Sequence, residues 1–425
     1  MSFSMTEKGV VISKKRQKIR AIVFILFPMF LLMTNKYYIE MKTIYNAILF
    51  LGLIINVNAL AQNGVKTTIL EKGEKLGLRP VNQSDLNVVN FDGNNKAYYM
   101  SFDGNRCNIY VKDAGEKAYA VFGAILDEYL GLMQGESVKG KDGRLSSVNQ
   151  KYFLGAPISD EFPTPQKNGR GQHFEGGSIY WSPSTGAHEV HGAIRDKWKS
   201  IGWENSFLGF PVTNEMTTPD GFGRYNFFEG GAIYFHPNLG TFAVPKMIAD
   251  VWKKEGWEKG KLGYPVADEM TKNNNSVQYF EFGAVISTKA SPYRAIYNSS
   301  RNIRGLYTKW RETGGIDSYL GDLVTPNRNY PKIKISQFAE FQKGFIYESY
   351  VKQSNSSYDK EDAFVILKGP IFDYYASKKW EQGYLGLPIS DEFSSKKSNE
   401  DIRGQQFQGG TIYVTKSLGA FEKKN

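Results

Sequence analysis

A short phrase beginning with Leu-Gly recurs five times along this 425-residue chain and limits the folds that the chain can adopt. The copies are LGAP at Leu154–Pro157, LGFP at Leu208–Pro211, LGYP at Leu262–Pro265, LGDL at Leu320–Leu323 and LGLP at Leu385–Pro388. Successive copies lie 54, 54, 58 and 65 residues apart. Repeats of this length are units of supersecondary structure that bury their apolar faces against neighbouring copies. The sequence therefore predicts a repeat protein.

A large ring lies ten residues before four of the Leu-Gly pairs, and apolar residues precede it at intervals of four. The rings are Trp198, Trp252, Trp310 and Tyr375, with Tyr129 in the equivalent place before an inserted loop. Apolar residues at i, i+4 and i+8, such as Val190, Ile194 and Trp198, predict a helix of two to three turns with one buried face. We therefore predict that these rings form the core, and that Gly202, Gly256 and Gly314 cap the helices.

A hairpin pattern follows each Leu-Gly phrase. Aromatic and β-branched residues flank a glycine turn at Phe174–Trp181, Phe228–Phe235, Phe280–Ser287, Phe341–Glu348 and Phe407–Val414, with a divergent copy at Phe102–Val111. Such segments favour paired strands joined by a tight turn. The predicted unit is a helix, a Leu-Gly-x-Pro turn and a hairpin. The predicted fold is a β-rich α+β repeat protein of about five such units.

The predicted repeat domain covers residues 119–425, with units at Leu154, Leu208, Leu262, Leu320 and Leu385. Residues 62–118 are predicted to form a β-rich N-terminal cap whose divergent hairpin covers the exposed edge left by the last unit. Residues 1–61 are assigned to an upstream extension and a secretory signal.

Charged residues also follow the repeat. An acid lies seven residues after the leucine in four copies, and an arginine lies four residues before the hairpin phenylalanine in three of these. The pairs are Glu161 with Arg170, Glu215 with Arg224 and Glu392 with Arg403, while Glu269 has no such arginine. The copy at Leu320 has Asn327 in place of the acid and also lacks the arginine. This pattern predicts a structural Arg–carboxylate bridge within each unit rather than a catalytic carboxylate pair.

The phrases LGFPVTNEM and FEGGAIYF, preceded by a helix that ends in Trp before Gly-Trp, resemble the LGFP repeat family over about residues 119–425. The unit at Leu320 departs from the pattern at Asp322 and Leu323 and carries a polar insertion at Lys352–Asp362. The resemblance implies a compact closed assembly of repeats, a propeller-like ring of about five helix–turn–hairpin units, in exported cell-envelope proteins. It also implies attachment to wall polysaccharide, because similar repeats accompany mycolyltransferases and cell-wall amidases.

The N-terminal segment carries most of the formal charge of +10, because residues 1–61 hold eight Lys or Arg against two Asp or Glu. The rest of the chain is close to balanced, which argues against a nucleic-acid partner. An apolar run from Ile44 to Val57, followed by Ala59-Leu60-Ala61, indicates a secretory signal that starts at Met41 and is cleaved before Gln62. The alternative is that this run and Ala21–Met33 together anchor the protein in the inner membrane. We expect an exported protein without a stable membrane span in its mature form.

Hairpin ends combine aromatic rings with polar neighbours, as sugar-binding surfaces require. The candidates for glycan contact are Tyr180, Trp181, Tyr234, Phe235 and His236, and the alternative is that adjoining units cover these rings. His188 and His191 flank Glu189, but their spacing lacks the metal-binding helix pattern, so we predict no metal site and no cofactor. The single Cys107 excludes an intramolecular disulfide.

The sequence contains no recognisable nucleophile or phosphate-binding motif. We therefore expect a non-catalytic module that binds cell-envelope or extracellular polysaccharide or peptidoglycan. A protein–protein adaptor or structural envelope component is the first alternative, and a cell-wall hydrolase is the second.

Overall fold

A computed structural model describes residues 35–92, 95–134, 137–139, 145–147, 154–165, 167–289, 291–301, 303–329, 337–352, 359–397 and 400–425. Within these residues the chain divides into two compact units. The first contains residues 35–89, 97–102 and 109–118, and the second contains residues 90–96, 103–108 and the chain from Tyr119 onward. The upstream apolar stretch at Ala21–Met33 lies outside the described residues.

The first unit is built on a long helix, α1 (Asn35–Lys75). Its part from Lys42 is long and apolar enough to cross a membrane, a property that signal sequences share. The large apolar side chains from Ile44 to Ile54 and that of Leu60 are exposed, whereas Val65 and Ile69 are buried. The same helix therefore has two different parts, which meet near the predicted cleavage site.

The cap segment contains a divergent copy of the turn as well as strands. The turn residues Leu76-Gly77-Leu78-Arg79-Pro80 follow α1, and Gly77 has a φ of +69°. Pro80 pairs with Phe102 as an isolated bridge, and the Phe102 ring lies against Gly73 of α1. The segment 62–118 thus reproduces the helix, turn and hairpin of the later repeats.

Six four-stranded antiparallel sheets are present in the described part of the chain. Their strands are β1 (Asn87–Asp92), β2 (Asn95–Phe102), β3 (Cys107–Val111) and β4 (Tyr119–Phe122); β7 (Phe162–Pro163), β8 (Arg170–His173), β9 (Gly177–Ser182) and β10 (Gly186–His191); β11 (Met216–Thr217), β12 (Arg224–Phe228), β13 (Gly231–His236) and β14 (Gly240–Pro245); β15 (Met270–Lys272), β16 (Asn275–Tyr279), β17 (Gly283–Thr288) and β18 (Ser291–Tyr297); β19 (Leu323–Asn329), β20 (Gln337–Phe341), β21 (Gly344–Lys352) and β22 (Asp359–Leu367); β23 (Phe393–Lys397), β24 (Glu400–Phe407), β25 (Gly410–Thr415) and β26 (Gly419–Lys424). A separate two-stranded sheet pairs β5 (Ser137–Lys139) with β6 (Leu145–Ser147).

A short helix follows each of the first five sheets. These helices are α2 (Gly123–Gln134), α3 (Gly192–Ser200), α4 (Lys246–Lys254), α5 (Leu306–Glu312) and α6 (Pro370–Ser377). Each sheet is a meander of strands in chain order, so the predicted hairpin is only its central part. The fold is β-rich and repetitive, and the closed propeller-like ring stays a prediction.

The predicted helices start too early, because their first apolar residue belongs to the strand before the helix. Val190 and Val244 lie in the last strands β10 and β14, and α3 and α4 begin only at Gly192 and Lys246. An inward strand residue and the first helical turn after it face the same core. A spacing of four residues therefore continues across the junction and cannot mark where the strand ends.

The Leu-Gly-x-Pro turn is locked to the hairpin that follows it. Gly209 has a φ of +68°, which favours glycine, and this turns the backbone N–H of Phe210 toward Glu229 Oε2 at 2.9 Å. Pro211 then pairs with Phe228 in an isolated bridge. The same contact recurs at Ala156, Tyr264, Asp322 and Leu387, with Glu175, Glu281, Gln342 and Gln408 as acceptors. The acid or amide after the hairpin phenylalanine therefore holds the turn.

A buried amide fastens each turn to the sheet before it. Gln405 Nε2 donates to the carbonyl oxygens of Val365 in β22 and Ser390 at 2.8 and 2.9 Å. Asp391 Oδ1 accepts the N–H of Val365 at 2.8 Å. Equivalent amide bonds join Gln172 to Ala120, Asn226 to Glu189 and Gln278 to Ala243. Successive sheets are thus connected by polar bonds as well as by apolar packing.

Further polar pairs connect a helix with the second Leu-Gly turn that follows it in the chain, which is the turn of the next repeat. Asn214 Nδ2 donates to Glu128 Oε1 of α2 at 2.7 Å. At the equivalent positions Lys197 pairs with Asp268, and Lys309 pairs with Asp391. Lysine thus stands opposite aspartate, whereas glutamate stands opposite asparagine.

The large rings of the helices lie in the core. Trp198, Trp252 and Tyr375 are 0% exposed, and Trp310 is 2% exposed. Gly202, Gly256 and Gly314 have φ values of 105°, 95° and 116°, the left-handed conformation expected of residues that end these helices. Lys379 takes the place of this glycine in the last copy and is also left-handed. The residue that follows is left-handed too: it is a tryptophan at Trp203, Trp257 and Trp380 and a glycine, Gly315, in the divergent copy.

Candidate functional site

The hairpin ends divide their aromatic residues between the core and the surface. Tyr180 and Tyr234 are only 2% and 3% exposed, and each packs edge-on against a core tryptophan with ring centroids 4.7 Å apart. These two phenols are buried too deeply to stack on a sugar. Trp181 and Phe235, the neighbours that point to the opposite face of each strand, are partly exposed.

Each exposed hairpin ring lies beside an Arg–Glu bridge. Arg170 is the cross-strand partner of Trp181, and its Nε lies 3.3 Å from Glu161 Oε1. Arg224 is the partner of Phe235, and its Nε lies 3.9 Å from Glu215 Oε1. A ring beside a planar cation and a carboxylate offers both apolar contact and hydrogen bonds to a ligand.

The other two acids of this series have different neighbours. Arg403 Nε lies 3.2 Å from Glu392 Oε1, but its cross-strand partner is Val414 rather than a ring. Glu269, which has no arginine at the equivalent position, accepts a hydrogen bond from the Tyr293 hydroxyl at 3.1 Å. The combination of ring, arginine and carboxylate therefore occurs at the ends of β9 and β13.

The second of these places contains a cluster that sequence reasoning did not bring together. His191 Nδ1 lies 2.8 Å from Glu189 Oε2, and its Nε2 lies 3.4 Å from Glu215 Oε1. Burial lowers the pKa of His191, but the hydrogen bond to Glu189 and the two negative charges outweigh it, so the pKa lies above its ordinary value. Burial also raises the pKa of Glu215.

This cluster has a signal in the sequence. Glu189 and His191 replace Ala243 and Pro245 of the next repeat, so a buried acid and an imidazole stand where the repeat has small apolar residues. His191 falls within the helix that the sequence predicts from Val190 onward, but it is the last residue of β10. Because a strand alternates its faces, Glu189 and His191 share one side.

The remaining histidines make separate local contacts. His188 Nε2 lies 2.9 Å from the Thr185 carbonyl oxygen, and His173 Nδ1 lies 2.8 Å from Ser178 Oγ. The imidazole of His236 lies with its centroid 4.7 Å from that of the Tyr264 ring. Among the described residues no group of three or more histidine, cysteine, aspartate or glutamate side chains is arranged to hold a metal ion.

Cys107 is buried, and its burial and the nearby Asp103 raise its thiol pKa to about 12.

A second set of rings, missed in the sequence, lies directly before the Leu-Gly phrase. Phe207, Tyr319 and Tyr384 are 55%, 54% and 47% exposed. Lys261 occupies this position in one copy, and Phe153 of the first copy lies outside the described residues. The signal was available, because an aromatic residue precedes Leu-Gly in four of the five copies.

Tyr319 lines an open cavity of about 450 Å³ together with Gln342, Lys343, Leu367 and Lys368. At the last copy, the ammonium of Lys424 lies 4.7 Å from the centre of the Tyr384 ring. An exposed ring therefore lies close to lysine at both places. The pairing again combines an apolar face with donors of hydrogen bonds.

Comparison with known proteins identifies the repeat. Residues 154–206 and 208–260 each match the model of the LGFP repeat. No curated protein matches the chain. Among solved structures, a catalytically inactive virginiamycin B lyase from Staphylococcus aureus with quinupristin is 7% identical, with a TM-score of 0.11 over 82% of this chain and 87% of that chain.

The extracellular domain of a hybrid two-component system from B. thetaiotaomicron is 12% identical, with a TM-score of 0.14 over 82% of this chain and 38% of that chain. Likeness at these TM-scores supports no conclusion about fold or function. The family match does not depend on them, and it falls on the two repeats that carry Trp181 and Phe235. This chain is a repeat protein that carries two tandem LGFP repeats, at residues 154–206 and 208–260.

Proposed function

We propose that this protein is an exported, non-catalytic module that binds cell-envelope or extracellular polysaccharide or peptidoglycan through several weak, repeated sites. The observation that carries the proposal is the set of half-exposed rings at one position of the repeat, Phe207, Tyr319 and Tyr384. Aromatic faces suit the apolar faces of sugar rings, and repeated weak sites gain strength from multivalency. Trp181 and Phe235, each with an arginine and a glutamate beside it, add a second set of contacts.

Export is supported by the two parts of α1. The large apolar residues from Ile44 to Ile54 and Leu60, before the predicted cleavage site, are exposed, while Val65 and Ile69 after it are buried. Cleavage before Gln62 removes the exposed apolar part and leaves the helical turn that packs in the first unit. The LGFP repeats themselves agree with a cell-envelope location.

The test is retention of the purified protein, residues 62–425, on insoluble cell-wall material and on chitin. Changing Phe207, Tyr319 and Tyr384 to alanine, singly and together, is expected to lower retention progressively, and Trp181→Ala to lower it as a separate contribution. Phe222→Ala is the matched control, because Phe222 is 70% exposed but lies outside both ring positions. Circular dichroism of each variant checks that the fold is intact.

Equal retention of the triple variant and the Phe222→Ala control would refute binding through the repeated rings. Retention of the unaltered protein by neither polymer would favour the adaptor alternative. Release of soluble sugar or peptide fragments from the wall material during incubation would contradict the non-catalytic part of the proposal.

A further inference from the structure

The two LGFP repeats are related by a shift of 54 residues and can be compared position by position. Both contain a core tyrosine, a left-handed tryptophan and a buried glutamate. These residues are Tyr180, Trp203 and Glu204 in the first repeat and Tyr234, Trp257 and Glu258 in the second. Four neighbouring positions differ between the repeats: Gly171, His173, Arg195 and Asn205 are replaced by Tyr225, Phe227, Ala249 and Lys259.

In the first repeat, Arg195 supplies a cation to the Trp203 ring, and Asn205 supplies a hydrogen bond to the buried Glu204. The guanidinium carbon of Arg195 lies 5.5 Å from the centre of the Trp203 ring, and Arg195 Nε donates to Ser178 Oγ at 2.7 Å. Asn205 Nδ2 donates to Glu204 Oε1 at 3.1 Å. The tryptophan face and the buried carboxylate of this repeat are therefore both engaged.

In the second repeat the corresponding groups form an aromatic cluster without that cation. Tyr225 stacks on Tyr234 with centroids 4.9 Å apart and an angle of 8°, and Phe227 lies 5.1 Å from Tyr225 and 5.9 Å from Trp257. The rings of Tyr225, Phe227 and Trp257 are partly exposed. Ala249, which takes the place of Arg195, has no charge to bring to them.

The carboxylate beside these rings has an unused oxygen. Glu258 is 4% exposed, and its Oε1 has no hydrogen-bond partner among the described residues. Its charge lies close to two phenols: burial raises the pKa of Tyr225 and of Tyr234, and Glu258 raises both further. Burial raises the pKa of Glu258 itself; among the charged groups near it, Asp220 raises this pKa further and the exposed Lys259 lowers it.

We propose that Tyr225, Phe227, Trp257 and Glu258 form a binding site for an alkylammonium group of a ligand, which supplies the cation that Arg195 supplies in the first repeat. A cation over aromatic faces is attracted by their π electrons, and the attraction grows when a buried carboxylate adds its charge. A buried carboxylate oxygen without a partner is costly, and a bound ammonium removes that cost. The site uses none of the rings proposed for glycan contact, so the two proposals stand or fall separately.

The test is isothermal titration calorimetry of the purified protein with choline chloride and with methylammonium chloride, at constant ionic strength. 3,3-Dimethyl-1-butanol, the uncharged isostere of choline, is the control ligand. The two cations distinguish a site for quaternary ammonium from one for a primary amine. Binding of at least one cation, with no binding of the alcohol, is the expected result.

Two variants locate the site. Glu258→Gln keeps the shape of the side chain but removes its charge, and it is expected to weaken cation binding by about tenfold or more. Ala249→Arg gives the second repeat the cation that the first already has, and it is expected to abolish binding. Ala249 is 7% exposed and lies in one core cluster with Tyr225 and Phe227, so thermal unfolding of this variant checks that the arginine is accommodated.

The matched control is Glu204→Gln in the first repeat, which is expected to leave cation binding unchanged. Thermal unfolding of all three variants shows whether they are folded. Binding of neither cation, equal binding of the alcohol, or unchanged cation affinity in folded Glu258→Gln and Ala249→Arg would overturn the proposal.

Discussion

The buried amide between successive sheets allows a sharp test, because neighbouring residues on one strand face opposite ways. Gln405 is fully buried, and its Nε2 donates to the carbonyl oxygens of Val365 and Ser390. Gln406, the next residue of β24, has an exposed side chain. Methionine has nearly the shape of glutamine but cannot donate. Gln405→Met and Gln406→Met therefore make the same chemical change on the two faces of the strand.

The expected loss of stability follows from the bonds that are removed. Two carbonyl oxygens lose their donor, and each one left buried without a partner costs about 1–3 kcal/mol. Gln405 Oε1 has no hydrogen-bond partner in the described part of the chain, so its removal offsets part of that cost. We expect Gln405→Met to lower the free energy of unfolding by about 2–4 kcal/mol, and Gln406→Met to change it by less than about 0.5 kcal/mol.

Urea unfolding followed by tryptophan fluorescence measures both variants. The slope with denaturant shows whether the two unfold in the same way, since a changed slope signals an altered transition. Equal midpoints for Gln405→Met and Gln406→Met would refute the conclusion that the amide fastens the sheets.

Three further predictions concern the turn, the histidine cluster and the N-terminus. In urea unfolding, Gly209→Ala is expected to destabilise the protein more than Gly221→Ala. Both glycines are left-handed, a conformation that costs an alanine about 1–2 kcal/mol. Only at Gly209 would the new Cβ also lie 2.5 Å from Glu229 Oε2. Equal losses would contradict the tight fit of the turn. The pKa of His191 is raised in the folded state, so the contribution of His191 to stability is present at pH below its unfolded pKa of about 6.5 and is lost as the pH rises through the folded pKa. NMR titration is expected to show that His191 releases its proton at higher pH in the unaltered protein than in Glu189→Gln. Identical titration curves would be evidence against the hydrogen bond to Glu189. The exported protein is expected to begin at Gln62, and mass spectrometry that finds residues upstream of Met41 would disprove the assigned start.

Periodicity alone was enough to predict the repeat, the buried rings and the capping glycines. Trp198 and Trp252 recur at one spacing because each fills the same place in the core of its repeat. The recurrence of Gly202 and Gly256 reports a backbone conformation that few other residues accept. These features are local, so one sequence read against itself reveals them.

Features that depend on distant partners were not predictable in this way. Gln405 looks like a solvent-facing strand residue in the sequence, and only the position of Val365, 40 residues earlier, shows that it is buried and bonded. The copy of the turn at Leu76–Pro80 was hidden by an extra residue and by a helix that continues from the predicted signal. Tyr180 and Trp181 could be assigned to opposite faces, but not to the buried and the exposed face.

The polar pairs between a helix and the turn of the next repeat make the order of the repeats matter. Lys197 meets Asp268, but Glu128 meets Asn214. If the turn that contains Asp268 were moved one place toward the N-terminus, it would bring an aspartate against Glu128, and two like charges would face each other in a partly buried place. Repeats that look interchangeable in sequence therefore differ at the positions that select their partners. A redesign that shuffles or duplicates the repeats must change these positions too.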